Sequence, residues 1–260
     1  MTEQIYSSDL TSAQWRRLQP LLPKASKRGR PRTLARQVIN AIFYCLRSGC
    51  QWRLLPKEFG AWQTVYGWFR RWKISGVWLG LNDRLRAEVR TSIGKRCRPT
   101  AAILDSQTVR SSDHGGPTGY DAAKKTKGRK RHLLVDTLGL VLGLVITPAD
   151  VPERAGAQRL LAGVLGWFHW LRLLWVDGGY SGPEFAAWVR AHRPKLRVEV
   201  VARLGELKGF KILRRRWVVE RTFGWLMKQR RLVRDYEVTT TSAEAWVYIA
   251  MTRIMLRRLA

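Results

Sequence analysis

The spacing of the hydrophobic residues changes near Pro99 and divides the chain into two parts. Before Pro99, apolar positions fall three and four residues apart, which is the spacing of one helical face. The clearest series is Leu34, Val38, Ala41, Ile42 and Cys45. We predict four helices in this part: one capped by Ser7 or Thr11 and stopped near Pro20, and three more over about 33–47, 61–76 and 78–91.

After Pro99, short apolar runs bounded by turn residues predict strands. The first covers 101–109, and the next two lie within 129–147 and meet in a hairpin turn near Asp136. A helical pattern over 153–168 precedes a fourth strand ending at Asp177, and a further helix precedes a fifth strand over 196–202. The segments 214–236 and 243–259 are again helical. This order predicts an α/β fold, with a mixed five-stranded RNase H-like sheet flanked by helices.

The two patterns also predict two domains. We expect residues 1–98 to form an all-α, helix-turn-helix-like DNA-binding domain, because short helices are joined by Gly-containing turns and carry many arginines. A plain helical bundle with a solvated basic face is the alternative. Residues 99–260 are expected to form the RNase H-like catalytic domain.

Charge narrows the class of partner. The chain carries 48 Lys and Arg against 19 Asp and Glu, a formal net charge of +29. The excess is shared about equally by the residues before and after Asp105, which excludes a basic tail on a neutral enzyme. Self-repulsion of this size favours a polyanionic partner, and double-stranded DNA is the usual one.

No apolar run reaches the ~18 residues of a spanning helix and the N-terminus lacks a signal-peptide pattern, so we expect a cytoplasmic, nucleoid-associated protein without a membrane partner.

Two aspartates follow buried strand-like runs. Asp105 comes directly after the apolar run 101–104, and Asp177 comes directly after 173–176; small or polar residues follow each. A single such aspartate is usually a turn or cap residue. Two of them on neighbouring strands of a strongly basic chain indicate a site at the strand ends instead.

A third acid, Glu220, lies in the helical segment RRRWVVERTFGWL, four residues after Arg216. The pair could be a surface ion pair of little energetic value. The three acids together fit a different chemistry, because two Mg²⁺ ions held by carboxylates can activate a nucleophile and stabilise a leaving oxygen in phosphodiester cleavage. We predict that Asp105, Asp177 and Glu220 are catalytic residues and ligands of two Mg²⁺ ions, with Asp105 bridging them.

Motifs spread over nearly the whole chain support this prediction. They are SDLTSAQW (8–15), GRPR (29–32), SGCQWRLLPKEF (48–59), WQTVYGWFRRW (62–72), ILDSQTV (103–109), KKTKGRKRHLLVDTLG (124–139), WVDGGYSG (175–182) and RWVVERTFGWL (216–226). In this order they resemble an insertion-sequence transposase of the DDE superfamily, of the group called insertion sequence five. The resemblance implies cut-and-paste transposition, catalytic acids at Asp105, Asp177 and Glu220, and binding to terminal inverted repeats.

The chain departs from this family around the third acid. Related families carry a Tyr, an Arg, the catalytic Glu and a Lys at fixed spacing; Arg216 and Glu220 match, but Leu213 and Met227 stand at the Tyr and Lys positions. Lys228 and Arg231 are the alternatives for the basic role. The 42 residues between Asp177 and Glu220 are too few for the large inserted β-domain of some relatives.

Basic residues in these motifs are the predicted DNA contacts. They are Arg28, Arg30, Arg32, Arg70, Arg71, Lys124, Lys125, Lys127, Arg129, Lys130, Arg131, Arg216, Lys228 and Arg231. Trp52, Trp62 or Trp68 could stack on bases.

We expect the chain to act as a homodimer on DNA that contacts both the element ends and the target DNA. We also expect Mn²⁺ to substitute for Mg²⁺. A metal-dependent nuclease that cuts without joining, and a DNA-binding repressor without catalysis, are the alternative functions.

Overall fold

A computed structural model describes residues 5–23, 35–112, 115–201 and 214–260 of the chain, with only the backbone of Arg214 and Arg215. Leu213 and the predicted DNA contacts Arg28, Arg30 and Arg32 lie outside the described residues.

The chain forms two compact units that interleave in sequence. The first, called the helical unit, comprises Met1–Lys95, Leu226–Val233 and Ala245–Ala260. The second, called the sheet unit, comprises Arg96–Trp225 and Arg234–Glu244. The first division lies close to the predicted boundary at residue 98. The C-terminal helical segments are grouped with the helical unit, although the sequence pattern offers no signal for this.

Helices account for the regular structure described in the helical unit. They are α1 (Ser12–Leu18), α2 (Ala35–Ser48), α3 (Trp62–Ile74), α4 (Val77–Ser92) and α8 (Arg230–Val233), with the later part of α9 (Thr240–Leu259). Thr11 is the cap of α1: its hydroxyl accepts a hydrogen bond from the Gln14 backbone, and the Gln14 side chain accepts one from the Thr11 backbone. Of the two predicted caps, Thr11 is therefore the correct one.

An aromatic cluster occupies the interior of the helical unit. Trp246 of α9 is fully buried and packs on Trp52 and Phe69, with ring centroids 5.5 and 5.0 Å apart. The Arg231 guanidinium lies 4.7 Å from the centre of the Trp246 ring. Trp52 therefore has a packing role here, which differs from the predicted stacking on DNA.

The sheet unit begins with strands and a hairpin. Its strands are β1 (Ala101–Arg110), β2 (Gly119–Asp121), β3 (Thr126–Asp136), β4 (Val141–Pro148), β5 (Leu173–Val176) and β6 (Arg197–Val200). Its helices are α5 (Glu153–Val164), α6 (Pro183–His192) and most of α7 (Arg214–Met227). The predicted hairpin is confirmed at Asp136, whose carboxylate accepts hydrogen bonds from the Leu138 and Leu140 backbones.

The strand connections match the predicted order. β3 pairs antiparallel with both β1 and β4, whereas β5 pairs parallel with β1 and β6 pairs parallel with β5. The five longer strands therefore lie in the order β4, β3, β1, β5, β6, the mixed arrangement expected of an RNase H-like sheet. The short strand β2, which the sequence analysis did not predict, extends the pairing of β3.

The core of the sheet unit lies where α5 and α6 cover the sheet. Its buried members include Leu104, Leu134, Leu161, Val176 and Phe185. β3 is buried along nearly its whole length, with only its first two residues accessible to solvent. Such a strand holds its neighbour β1 in a fixed position, and β1 carries the first predicted acid. In the described residues, no helix is both long and apolar enough to cross a membrane.

Candidate active site

Strand register brings the first two acids to the same level of the sheet. The parallel pairing of β1 and β5 runs from Ala101 opposite Leu173 to Ile103 opposite Trp175. Continued by two residues, the same register sets Asp105 beside Asp177. The prediction that these two acids come from adjacent strand ends therefore agrees with the register, although Asp105 itself lies within β1, which continues to Arg110.

Asp105 is partly buried between the buried residues Leu104 and Ser106. Its Oδ1 accepts a hydrogen bond of 2.7 Å from the Ser106 backbone. Burial raises the pKa of Asp105 to about 7, the Ser106 hydrogen bond opposes this rise, and the negative charge of Asp177 adds to it. The raised pKa indicates that too little positive charge lies near the Asp105 carboxylate to stabilise its ionised form.

Asp177 ends β5 and starts a tight turn. Its Oδ1 accepts a hydrogen bond of 2.9 Å from the Gly179 backbone and so caps the short 3₁₀ helix Gly178–Tyr180. The capping alternative from the sequence analysis is thus correct for one oxygen. The other oxygen, Oδ2, is 3.5 Å from the Arg216 guanidinium, so the same carboxylate both shapes the backbone and faces the site.

The helix α7 is attached to the β3–β4 hairpin, and this attachment positions the third acid. The Arg221 guanidinium donates to the Leu138 carbonyl at 3.0 Å, and the Thr222 hydroxyl donates to the Gly139 carbonyl at 2.8 Å. Gly139 has a φ of +80°, and a Cβ there would lie 2.6 Å from the Thr222 hydroxyl. Only glycine satisfies both the backbone conformation and the close approach of the helix.

Arg216 joins the acid of the sheet to the acid of the helix. Its Nη2 lies 3.5 Å from Asp177 and 3.6 Å from Glu220. The Glu220 side chain is 51% exposed, whereas that of Arg216 is 16% exposed. The predicted ion pair between Arg216 and Glu220 is therefore present. Because Arg216 also contacts Asp177, it connects α7 to the end of β5, which an ion pair within one helix would not do.

A fourth carboxylate, which the sequence analysis assigned to a helix start, lies at this site. Glu153 is the first residue of α5, and its Oε1 accepts a hydrogen bond of 2.8 Å from the Ser106 hydroxyl. The Lys124 ammonium is 3.3 Å from the same oxygen. The negative charge of Glu153 also raises the pKa of Asp105. A first-turn acid after Pro152 is indistinguishable in sequence from an ordinary helix start.

The donor set fits a divalent cation such as Mg²⁺, which prefers carboxylate oxygens. Within the ranges described above, no three His, Cys, Asp or Glu side chains converge closely enough to hold a metal ion. Arg216 supplies positive charge between Asp177 and Glu220, as a bound cation would.

The predicted basic DNA contacts separate into exposed and buried groups. Arg70 and Arg71 on α3 are exposed, as are Lys124, Lys125, Lys127 and Lys228. Arg129 and Arg131 are each 1% exposed, Lys130 is 6% exposed, and Arg231 is 8% exposed. A phosphate cannot reach these four side chains in this arrangement, so the prediction of DNA contact is corrected for them.

Internal partners explain why the buried cations were misassigned. Arg129 donates to the carbonyls of Pro117, Glu237 and Val238 and forms an ion pair with Asp235 at 3.4 Å. The Lys130 ammonium donates to the Val151 carbonyl. In sequence these residues look like a basic surface run, but they lie on β3, which is covered on both faces.

Arg231 has a comparable structural role in the helical unit, where it donates to the Cys50 carbonyl at 2.8 Å. Near Glu220, the Arg216 guanidinium lies 3.6 Å from its Oε1. Trp68 packs on Trp72 and lies under the Arg71 guanidinium at 4.1 Å.

Comparisons with known proteins show which family the chain resembles. The family model "Transposase DDE domain" matches residues 96–255. A second model, "Putative transposase of IS4/5 family", matches residues 10–82. The Insertion element IS402 uncharacterized 16.2 kDa protein of Burkholderia cepacia is 31% identical over 112 residues, which are 40% of this chain and 75% of that protein. The uncharacterized protein y4sN of Sinorhizobium fredii is 28% identical over 120 residues, 46% of this chain and 86% of its own length. The strand order, the acids on β1 and β5 and these matches lead to one conclusion: this chain belongs to the DDE transposase family, of the IS4/5 type.

Proposed function

We propose that this chain binds the terminal inverted repeats of an insertion sequence and catalyses hydrolysis and strand transfer of DNA phosphodiester bonds. The observation that carries the proposal is the link that Arg216 makes between Asp177 of the sheet and Glu220 of α7, at 3.5 and 3.6 Å, with Asp105 on the strand next to Asp177. Carboxylates from two neighbouring strands and a helix are the donor set that a divalent-metal phosphoryl-transfer site uses.

Asp105, Asp177 and Glu220 would hold two Mg²⁺ ions, with Mn²⁺ as a substitute. When bound, the ions would activate the attacking water or 3′-hydroxyl and stabilise the leaving oxygen. Asp105 is held in place by its backbone hydrogen bond from Ser106, and Asp177 by its cap on Gly179. With the carboxylates neutralised by the ions, the planar guanidinium of Arg216 would be available to clamp a phosphate.

Exposed basic residues of the sheet unit support DNA as the substrate. Arg110, Lys125, Lys127 and Arg234 line an open cavity of about 570 Å³ in the sheet unit. Lys125 has a φ of +47°, a backbone conformation that L-residues rarely adopt. Neutralising phosphates with such side chains releases counterions, so we infer that binding weakens steeply as salt rises. Two element ends must be held together, and we infer a homodimer on DNA for this reason.

Cleavage of DNA that carries the flanking inverted repeats, with Mg²⁺ or with a chelator, tests the proposal. We expect nicks at the element ends in Mg²⁺ only, and none from Asp105→Ala. Cleavage that persists in the chelator or in this variant would overturn the assigned site.

Strand transfer is the second stage of the test. Pre-cut element ends incubated with a target plasmid should give joined products. Cleavage without joining would identify a nuclease, and specific binding without either reaction would identify a repressor.

A further inference from the structure

The carboxylate of Glu153 has one oxygen, Oε1, that is held by two donors and a second, Oε2, that lies toward Asp177. The Ser106 hydroxyl and the Lys124 ammonium both lie on Oε1, at 2.8 and 3.3 Å. Ser106 follows Asp105 directly, so the two acids are linked through adjacent residues of β1. These contacts fix the orientation of the Glu153 carboxylate, and the position of its second oxygen follows from them.

That second oxygen shares a small space with Asp177. A Cβ built on Gly179 would lie 2.9 Å from Glu153 Oε2 and 3.1 Å from Asp177 Oδ1. The two oxygens therefore flank one space, which is open because residue 179 is glycine. Arg154, the next residue of α5, donates to the Gly179 carbonyl at 3.1 Å, so the start of α5 is tied to the turn that follows Asp177.

The position of α5 on the sheet is fixed by a close contact one turn further on. Gly156 lies against the buried His132 ring, and a Cβ there would be 2.1 Å from the ring. The ring nitrogen Nε2 is 3.1 Å from the Thr147 hydroxyl, which fixes the ring in turn. Glu153 is thus placed by packing, and the contact requires a residue without a side chain at position 156.

A buried hydroxyl at the same place is an independent sign of a ligand. Tyr180 is 1% exposed, and its hydroxyl makes no hydrogen bond of acceptable geometry with the described residues. The Ser106 hydroxyl lies close enough to lower the pKa of Tyr180, but its own hydrogen is donated to Glu153. Burial raises the pKa of Tyr180, and so do the charges of Asp105, Glu153 and Asp177. The Tyr180 hydroxyl therefore stays protonated, and it could donate a hydrogen bond to a water or a substrate oxygen.

We propose that Glu153 is a fourth carboxylate ligand of the metal site formed by Asp105, Asp177 and Glu220, and that it presents Oε2 to the cation while Ser106 and Lys124 hold Oε1. This inference rests on the proposed function, because it assumes that the site takes a divalent ion. Glu153 would then stabilise the bound ion. Its hydrogen bond from the Ser106 hydroxyl would also fix Ser106, the residue that follows Asp105 on β1.

A metal titration tests the inference without any need for activity. The full chain is titrated with Mn²⁺, and binding is followed by loss of the electron paramagnetic resonance signal of the free ion. We expect Glu153→Gln to weaken Mn²⁺ binding by about 10-fold or more, as loss of a group that orients or binds a metal usually does. Glu153→Asp keeps the charge and should recover part of the affinity.

Glu184 provides the matched control. It lies in the first turn of α6, as Glu153 lies in the first turn of α5, and it is exposed. Glu184→Gln removes the same charge from the same turn of a helix but away from the predicted ligands, so it should leave Mn²⁺ affinity unchanged. If Glu153 only stabilised its helix, Glu153→Gln would lower the metal-free melting temperature and leave Mn²⁺ affinity at the wild-type value, which would overturn the inference.

The outcomes separate this inference from the proposed function. Normal Mn²⁺ affinity in Glu153→Gln, together with loss of affinity in Asp105→Asn, overturns the role of Glu153 and leaves the proposed function in place. Absence of Mn²⁺ binding in the wild type, with and without DNA, overturns both. Should Glu153→Gln fail to fold, Ser106→Ala removes only the hydroxyl that holds Oε1. A weakening of about threefold would then support the inference, and unchanged affinity would contradict it.

Discussion

The acids of the sheet and the acid of the helix are held in different ways. Asp105 and Asp177 lie on neighbouring strands, and each accepts a backbone hydrogen bond that fixes its carboxylate. Glu220 projects from α7, is half exposed, and has Arg216 as its ion-pair partner. The difference indicates a site with a rigid part, built on β1 and β5, and an adjustable part, the exposed Glu220 side chain, whose orientation depends on Arg216. Each prediction below changes one part and leaves the other intact.

The largest effect is expected in the rigid part. Asp105→Asn keeps the shape of the side chain and its hydrogen bond from Ser106, but it removes the charge that a divalent ion needs. We expect Mg²⁺-dependent cleavage of element-end DNA to fall by at least about a thousandfold, because metal-binding carboxylates act as a unit. Gel-shift affinity for the same DNA should change by less than about threefold. Retained cleavage would show that Asp105 is not a ligand.

Arg216 connects the two parts, so its loss should have the next largest effect. Arg216→Ala leaves Asp177 and Glu220 without the cation between them, and it removes the proposed phosphate clamp. We expect cleavage to fall by about a hundredfold, as it does when one well-placed charged donor is lost from an active site. Arg216→Lys should recover only part of this loss, because one ammonium cannot match the two-pronged guanidinium. Full activity of the lysine variant would contradict the bridging role.

The packing of α5 extends the rigid part, and two glycines of this helix test it. Gly156→Ala places a methyl group against the His132 ring, where a Cβ would be 2.1 Å away. We expect the free energy of unfolding to fall by about 1–3 kcal/mol, the usual cost of overpacking. Gly163 has nothing within 4 Å of a built Cβ, so Gly163→Ala should leave stability unchanged or raise it by up to about 1 kcal/mol. Urea unfolding of both variants measures this, and equal stabilities would contradict the proposed contact.

The rigid part was also the part that sequence could predict. The strands carrying Asp105 and Asp177 appear as apolar runs that end in an acid, and the hairpin at Asp136 appears as two such runs with a turn. The helix of Glu220 was predicted as well, but its contact with Asp177 was not. That contact depends on the attachment of α7 to the Leu138 and Gly139 carbonyls, which join residues 83 positions apart.

Two contacts that the sequence did not indicate have the same physical origin. Glu153 lies at a helix start, as the pattern over 153–168 predicted, but its hydrogen bond with Ser106 was not predicted. Arg129 was predicted to contact phosphate, because an arginine in a basic run usually does so. Neither pattern shows that α5 returns over β1, or that β3 is covered on both faces. Tertiary packing decides both, through contacts such as Arg129 with Asp235, 106 residues away.

The smallest effect expected is a pH dependence of stability that belongs to the rigid part alone. The ordinary pKa of an aspartate is near 3.8, and burial with the charge of Asp177 raises that of Asp105 to about 7. Between these values the folded chain holds a proton that the unfolded chain releases. The contribution of Asp105 to stability therefore falls as pH rises from about 4 through the folded pKa near 7, and it levels off by about pH 8. Asp105→Asn lacks this group, so without metal its melting temperature should exceed that of the wild type by a margin that grows from pH 4 to pH 8. Subtraction of the two curves cancels the contributions of the titratable groups that both proteins share.

Added Mg²⁺ at pH 8 should raise the wild-type melting temperature and close the gap, because a bound cation favours the ionised carboxylate that burial disfavours. A margin that stays constant over this range would mean that Asp105 is solvated well enough to ionise at low pH, and the contrast between the buried acid of the sheet and the exposed acid of the helix would then be wrong.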